Sequence, residues 1–308
     1  MTIFYRRMPA FDYRRPATLA EALAALAPGV PVRDQVYSGG TDLLAKLKSR
    51  AVKAPPAVID LKGIPGLAKV DFDPVRGLAI GANAAIRDVA RHPTVVARYG
   101  ALAQGAALIA SNQLQHRGTI VGNICNAVPS ADSAPALLVH DTMVVCVSAA
   151  GERVLPIADF FVDAGVTALG AAELVTALRL AVPAAGERST YLKLAPRGRM
   201  DLAVVGVAAS LVVEHGVVRR ARLALGSAAP VPMRALRAEA ALVGQPLDAA
   251  LIDHVASIAA ADARTRSSHR ASADYRREML EVLVARALGQ LAPHSLLATA
   301  EPSLEGQP

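Results

Sequence analysis

The chain has 308 residues, 53% of them hydrophobic and 19% charged, with a formal net charge of +7. That length accommodates two or three domains with their own cores, and the composition excludes a disordered chain. Aromatics make up only 4% and there is no Trp, so little is available to stack on bases, and the scattered Arg read as solvated or protein-facing side chains rather than a nucleic-acid surface.

The longest largely apolar run, Leu202 to Val213, is too short for a bilayer, which needs about 20 residues. No apolar stretch follows Arg6 and Arg7, so no export signal is expected. Two cysteines, Cys125 and Cys146, fit a reducing compartment and a cytoplasmic protein. They cannot supply the four thiolates of an iron–sulfur cluster.

In chain order, Leu19 to Leu26 reads as a short helix with Thr18 as N-cap and Glu21 at the third position. A strand ending near Tyr37, a turn at Ser38-Gly39-Gly40, a helix from about Asp42 to Arg50 and a strand at Ala57 to Asp60 make a β-turn-α-β unit. A strand at Leu78 to Ile80 precedes helices near Ile86 to Ala90 and Thr94 to Ala110. A long loop runs from Ser111 to Ser130, followed by a helix from about Ala131 and strands at Met143 to Val147 and Leu174 to Leu180. Gly186 to Thr190 reads as a linker. Strands follow at Thr190 to Leu194, Ala203 to Val213 and Val217 to Leu225, the last two a hairpin around His215-Gly216. Helices at Met233 to Val243, Ala249 to Ala261 and Tyr275 to Leu288 complete an α+β domain.

Three segments could carry chemistry. In Ser38-Gly39-Gly40-Thr41-Asp42-Leu43, two glycines between strand and helix allow close backbone approach to a pyrophosphate at a helix start, or simply a tight turn. It lacks the dinucleotide-binding glycine spacing. The second, Arg117-Gly118-Thr119-Ile120-Val121-Gly122-Asn123-Ile124-Cys125-Asn126, continues to Pro129 and Asp132. It offers donors for phosphate, and Asp132 accepts from a ligand hydroxyl or caps the next helix. The third is Tyr191 to Arg197, where Lys193 meets a ligand or faces solvent. No zinc spacing, nucleophile elbow or Walker A motif occurs. His92, His116 and His140 read as surface or loop residues. No residue looks poised as nucleophile or general base, so no catalytic residue is assigned and cofactor chemistry is expected.

Together these segments resemble the FAD-binding medium subunits of the xanthine dehydrogenase and CO dehydrogenase family of molybdenum hydroxylases. The resemblance runs through Phe11-Asp12-Tyr13, Arg15-Pro16, Ser38 to Leu43 and Arg117 to Asn123. It continues in Pro129, Asp132, Pro135, Asp201 to Val205, Pro232 to Ala235 and Tyr275-Arg276-Arg277. Val121 departs from it, standing where the family usually has glycine. Arg266 to Ser272 tilts the comparison toward bacterial xanthine dehydrogenases.

The resemblance implies a two-part FAD-binding domain of the vanillyl-alcohol-oxidase (PCMH) type over residues 1–185, with subdomains about 1–62 and 63–185. A CO-dehydrogenase-flavoprotein-like C-terminal domain at 188–292 and a flexible tail at 293–308 follow. It implies that Ser38, Gly39, Gly40, Thr41, Asp42, Leu43, Thr119, Ile120, Val121, Gly122 and Asn123 line the FAD diphosphate. Asp132 meets the ribityl chain, and Ala110, Leu174 and Lys193 lie near the ring or adenosine. It further implies a small [2Fe–2S] partner and a large molybdopterin partner in a dimer of heterotrimers, with NAD or another acceptor and a purine or N-heteroaromatic substrate. The open alternatives are a CO-dehydrogenase-like or aldehyde-oxidising complex, a stand-alone FAD oxidase, and a scaffold without FAD.

Overall fold

The computed structural model describes residues 7–198 and 200–292; the expected tail at 293–308 lies outside the described residues. The N-terminal unit is β1 (Asp12–Arg14), α1 (Leu19–Ala24), β2 (Val36–Tyr37), α2 (Leu43–Ser49) and β3 (Ala57–Asp60). β3 lies between β1 and β2, parallel to both. Thr18 caps α1 through Glu21 N–H at 3.2 Å, and Glu21 reaches back to the amide of Ala17. α2 ends at Arg50 in the left-handed conformation, φ 65°.

The next unit comprises β4 (Val70–Asp73), β5 (Gly77–Gly81), α3 (Ile86–Arg91), α4 (Pro93–Arg98), α5 (Gly100–Ala107), α6 (Asn112–Gln115), α7 (Ile120–Cys125), α8 (Ser133–Val139), β6 (Met143–Ser148), β7 (Gly151–Pro156), α9 (Ile157–Phe160), β8 (Phe161–Asp163), β9 (Val166–Thr167) and β10 (Leu174–Leu180). Its main sheet has the antiparallel order β4-β5-β10-β6-β7. The helix expected over Thr94 to Ala110 is two helices. Tyr99 breaks it at φ −125°, ψ 55°, fully buried, with its hydroxyl donating to the Ala181 carbonyl at 2.9 Å. A buried phenol tied to a distant strand end overrides local helix preference. The loop expected over Ser111 to Ser130 contains α6 and α7, short helices opened by Ser111 and Thr119 as side-chain caps. β4 and β7 are not expected from sequence; their burial patterns are mixed or exposed, which blurs the alternation that marks a strand.

The C-terminal unit is β11 (Arg188–Leu194), β12 (Val205–Glu214), β13 (Val217–Gly226), β14 (Met233–Arg234), α10 (Leu236–Leu242), α11 (Ala249–Asp262) and α12 (Ala273–Leu291). The sheet order is β11-β12-β13-β14, antiparallel throughout. The expected hairpin is present, His215 and Gly216 turning at φ 50° and 80°. The expected linker at Gly186 to Thr190 overlaps β11: Arg188, Ser189 and Thr190 pair with Leu211, Ser210 and Ala209. Met233 and Arg234, expected to begin a helix, form β14 against Ala224 and Leu225.

β12 is buried on both faces, which explains its continuous apolar run. Val205, Val207, Ala209 and Leu211 join the core beneath α10, α11 and α12, while Ala208 and Ala224 face the core of the preceding unit. A small residue permits that contact: a Cβ on Gly226 would lie 2.9 Å from Pro135 of α8. Within the preceding unit, one on Gly105 of α5 would lie 2.8 Å from the Asp132 carbonyl. Among the described residues no helix is long and apolar enough to cross a membrane.

Candidate functional site

The two glycine segments meet. A Cβ on Gly39 would stand 2.1 Å from the Arg117 carbonyl oxygen, so the first loop lies backbone-on-backbone against the second. Gly40 has φ +72°, and a Cβ there would strike the Tyr37 ring at 2.1 Å; both facts demand glycine. Lys62 braces the loop from below. Its ammonium donates to the Ser38 carbonyl at 2.9 Å, pairs with Asp60 at 2.9 Å and sits 3.7 Å above the Tyr37 ring. Tyr13 donates to the other Asp60 oxygen. Ser38 Oγ donates to Asn83 Oδ1 at 2.6 Å, and Asn83 Nδ2 donates to the Leu61 carbonyl at 2.8 Å. The amides of Gly39, Gly40, Thr41, Asp42 and Leu43 make no hydrogen bond among the described residues.

The second segment is built differently. Thr119 caps α7, its Oγ1 accepting from Gly122 N–H at 3.0 Å. The amide of Val121 remains unpaired among the described residues, whereas Ile120 directly follows the antiparallel bridge of Thr119 to Ala85. Val121, where the family pattern has glycine, lies in the first turn of a right-handed helix, 4% exposed in the core. Its backbone requires no glycine. Asn123 Oδ1 accepts from Ser133 Oγ at 2.6 Å, which leaves its amide NH₂ free to donate. Asn126 bridges the two segments, donating to Asp42 at 2.9 Å and accepting from Lys46.

Between them lies a cavity of about 350 Å³. Of the residues expected at the site, Ser38, Gly39, Gly40, Thr41, Asp42, Leu43, Ala110, Thr119, Val121, Gly122, Asn123, Asp132 and Leu174 line it. Ala110 does so at φ 48°. Ile120 is fully buried in the core and Lys193 is absent from the cavity wall. Lys193 is neither solvent-facing nor free for a ligand: its ammonium pairs with Asp132 at 2.7 Å, the two side chains 6% and 7% exposed. Tyr191 donates to the other Asp132 oxygen at 2.7 Å. Asp132 therefore does not cap α8 through its side chain. Burial pushes its carboxyl above the ordinary range, against the opposing pull of Lys193 and Tyr191.

His140, expected at the surface or in a loop, is 5% exposed at the end of α8, edge-on to Tyr99. Burial pushes its pKa down to about 4.

Asn126, the last residue of the second segment, also lines the cavity, and lining residues not expected from sequence include Arg33, Lys46 and the run Met200, Asp201 and Leu202 from the C-terminal unit. Lys46 carries a readable signal, since it stands four residues after Asp42 on one face of α2. The Met200 run carries none, because its placement depends on how the two units dock.

The cavity fits a long, partly anionic cofactor. It offers a run of unpaired amides from Gly39 to Leu43, the unpaired amide of Val121 facing it, and apolar walls from residues such as Ile86, Leu114 and Val175. Among the described residues no group of three or more His, Cys, Asp or Glu could hold a metal ion.

Comparison with known proteins agrees with this geometry. Residues 9–184 match the family model described as the FAD binding domain in molybdopterin dehydrogenase. Residues 190–291 match that of the CO dehydrogenase flavoprotein C-terminal domain. The xanthine dehydrogenase FAD-binding subunit of Escherichia coli O157:H7 is 29% identical over 280 residues, 91% of this chain and 95% of that one. The carbon monoxide dehydrogenase medium chain of Afipia carboxidovorans is 31% identical over 286 residues, 90% and 95% of the two chains. The structure of carbon monoxide dehydrogenase from Hydrogenophaga pseudoflava superimposes with a TM-score of 0.87 at 31% identity, covering 93% of this chain and all of that one. With an α+β chain of two domains, an FAD-binding domain and a flavoprotein C-terminal domain, the protein belongs to the FAD-binding medium subunits of the xanthine dehydrogenase and CO dehydrogenase family.

Proposed function

We propose that this chain is the electron-transfer subunit of a molybdenum hydroxylase, taking electrons from [2Fe–2S] clusters in a small partner and passing them to NAD or another acceptor. The substrate, a purine or other N-heteroaromatic, is oxidised at the molybdopterin centre of a large partner. The observation that carries this reading is the cavity at the meeting of the two glycine segments, with unpaired amides on both sides, while the carboxylates that line it, Asp42, Asp132 and Asp201, are engaged by Asn126, Lys193 and Arg197. Two cysteines leave the iron–sulfur relay to another chain.

Bound FAD supplies the electron-accepting chemistry. In this reading the amides of Gly39 to Leu43 and of Val121 hold its diphosphate. Asn123 and Asp132 hold its hydroxyls, and Ala110 and Leu174 flank the ring or adenosine. Lys193 acts through Asp132, fixing the carboxylate. The FAD domain spans 1–185, with subdomains meeting near residue 62, and the C-terminal domain spans 188–292. A dimer of heterotrimers in the cytoplasm is the expected assembly.

Co-expression with the two partner chains tests the proposal. The complex should contain molybdenum, iron and FAD and oxidise a heteroaromatic, while the single chain should hold FAD and leave that substrate untouched. Robust turnover by the single chain without molybdenum would overturn it.

A further inference from the structure

The cavity has two kinds of wall. Val32, Leu61 and Leu174 are buried and share one small core cluster with Val36 and Leu169; all five line the cavity. Leu114, Met200 and Leu202, which also line it, are exposed. A redox ring has to stay within reach of electron donors and acceptors, which suits the exposed wall. The closed apolar wall suits a flat group that takes no part in the chemistry.

Arg33 stands at the closed wall. It occupies the one-turn 3-10 helix Val32–Asp34 ahead of β2, directly after Val32, and lines the cavity itself. Its guanidinium makes no hydrogen bond among the described residues, and its one ionic neighbour among them, Asp34, lies 3.8 Å from Nε, beyond hydrogen-bond reach. Nε is buried, but the side chain as a whole is 34% exposed, so the Nη donors are open to a ligand. The turn between β8 and β9 abuts the guanidinium: a Cβ on Gly165 would lie 3.0 Å from Nη1. That turn is tied to the residue after the second glycine segment, since the Gly165 amide donates to the Ala127 carbonyl at 2.8 Å. Donors without an acceptor on a cavity wall call for a ligand rich in acceptors.

We propose that Arg33 is the adenosine-reading residue of the FAD site and sets its preference for the dinucleotide over flavin mononucleotide. Adenine presents ring-nitrogen acceptors and a face on which a guanidinium stacks. Val32, Leu61 and Leu174 supply the apolar bed for that ring. Flavin mononucleotide has no adenosine, so it gains nothing from Arg33. The inference rests on the proposed placement of the FAD diphosphate between the glycine segments.

The test strips flavin from the full chain and titrates wild type and Arg33→Met by calorimetry with four probes: FAD, ADP, flavin mononucleotide and inorganic pyrophosphate. FAD and ADP should each bind about tenfold more weakly to the variant, the worth of one hydrogen bond from a charged donor. Flavin mononucleotide and pyrophosphate should bind as before. Arg33→Lys, which keeps the charge and loses the planar fork, should recover only part of the loss. Equal losses for FAD and flavin mononucleotide, or a loss for pyrophosphate, would put Arg33 on the phosphates or the flavin ring and overturn the inference. Unchanged FAD and ADP affinity overturns it too and leaves the FAD site standing. A wild-type chain that takes up neither FAD nor ADP overturns the site and the inference together.

Discussion

The two glycine segments look alike as sequence and are built on opposite principles. Ser38 to Leu43 is shaped by what glycine permits: a positive φ at Gly40, contact with the Tyr37 ring, and backbone contact between Gly39 and Arg117. Thr119 to Asn123 is an ordinary capped helix start, where Thr119 does the shaping and Val121 fits without strain. The same ligand chemistry, exposed amides, is reached once through left-handed backbone and once through a helix end. Tolerance to substitution should therefore differ sharply between the two.

The largest effect is expected in the first segment. Gly40→Val combines a forbidden φ with a ring clash and should yield soluble protein without flavin, as read from the absorbance of the purified chain. Normal flavin content there would erase the contrast. Next comes Asp132, where the second segment is tied to the C-terminal domain. Asp132→Ala strands Lys193 in the interior and should lower unfolding stability by about 3–5 kcal/mol in denaturant titration, well beyond the loss of a cap.

Acid should probe the same helix from its other end. His140 is held neutral by burial, its pKa near 4 in the fold against 6.5 ordinarily. The unfolded chain binds more protons between those values, so stability present above pH 6.5 is lost as pH falls toward 4. The loss approaches about 3 kcal/mol, and His140→Gln should flatten that slope in thermal melts recorded across the window.

Lys62→Met removes the brace under the first segment and should weaken FAD roughly tenfold, about one hydrogen bond to a charged donor, as followed by flavin fluorescence. Lys62→Arg should recover part of it. The smallest effect belongs to the second segment. Val121→Gly restores the family residue yet should change FAD affinity by less than about twofold, because the helical backbone gains nothing from it. A marked gain in affinity would show that the second segment, too, depends on glycine.

Sequence reading reached the elements whose local pattern and tertiary role agree. β3 and β10 were legible to the residue, and the hairpin around His215 was marked by its own turn chemistry. It failed where distant contacts decide. The helix break at Tyr99 is set by a hydrogen bond to Ala181, and the helical character of Ile120 to Cys125 is hidden by Gly and Asn that score poorly as helix formers. At the site, the glycine segments and Asp132 were legible as motifs. The Asp132–Lys193 pair was not, because its partners are 61 residues apart and meet only when β11 docks beside α8. The same holds for His140: nothing local announces the burial that Tyr99 and the C-terminal sheet impose.

The boundary between the domains does not coincide with the boundary of the site. Met200, Asp201 and Leu202 complete a wall that the first 185 residues leave open, and Tyr191 and Lys193 hold Asp132 from across the seam. A fragment ending near residue 185 would keep both glycine segments and present a bare carboxylate on an unsealed cleft. Dissection is therefore a poor route to a minimal flavoprotein here. In the intact chain, a ligand that bridges both halves should delay proteolytic nicking of the 181–187 connection, because cofactor loading and domain docking draw on one free energy.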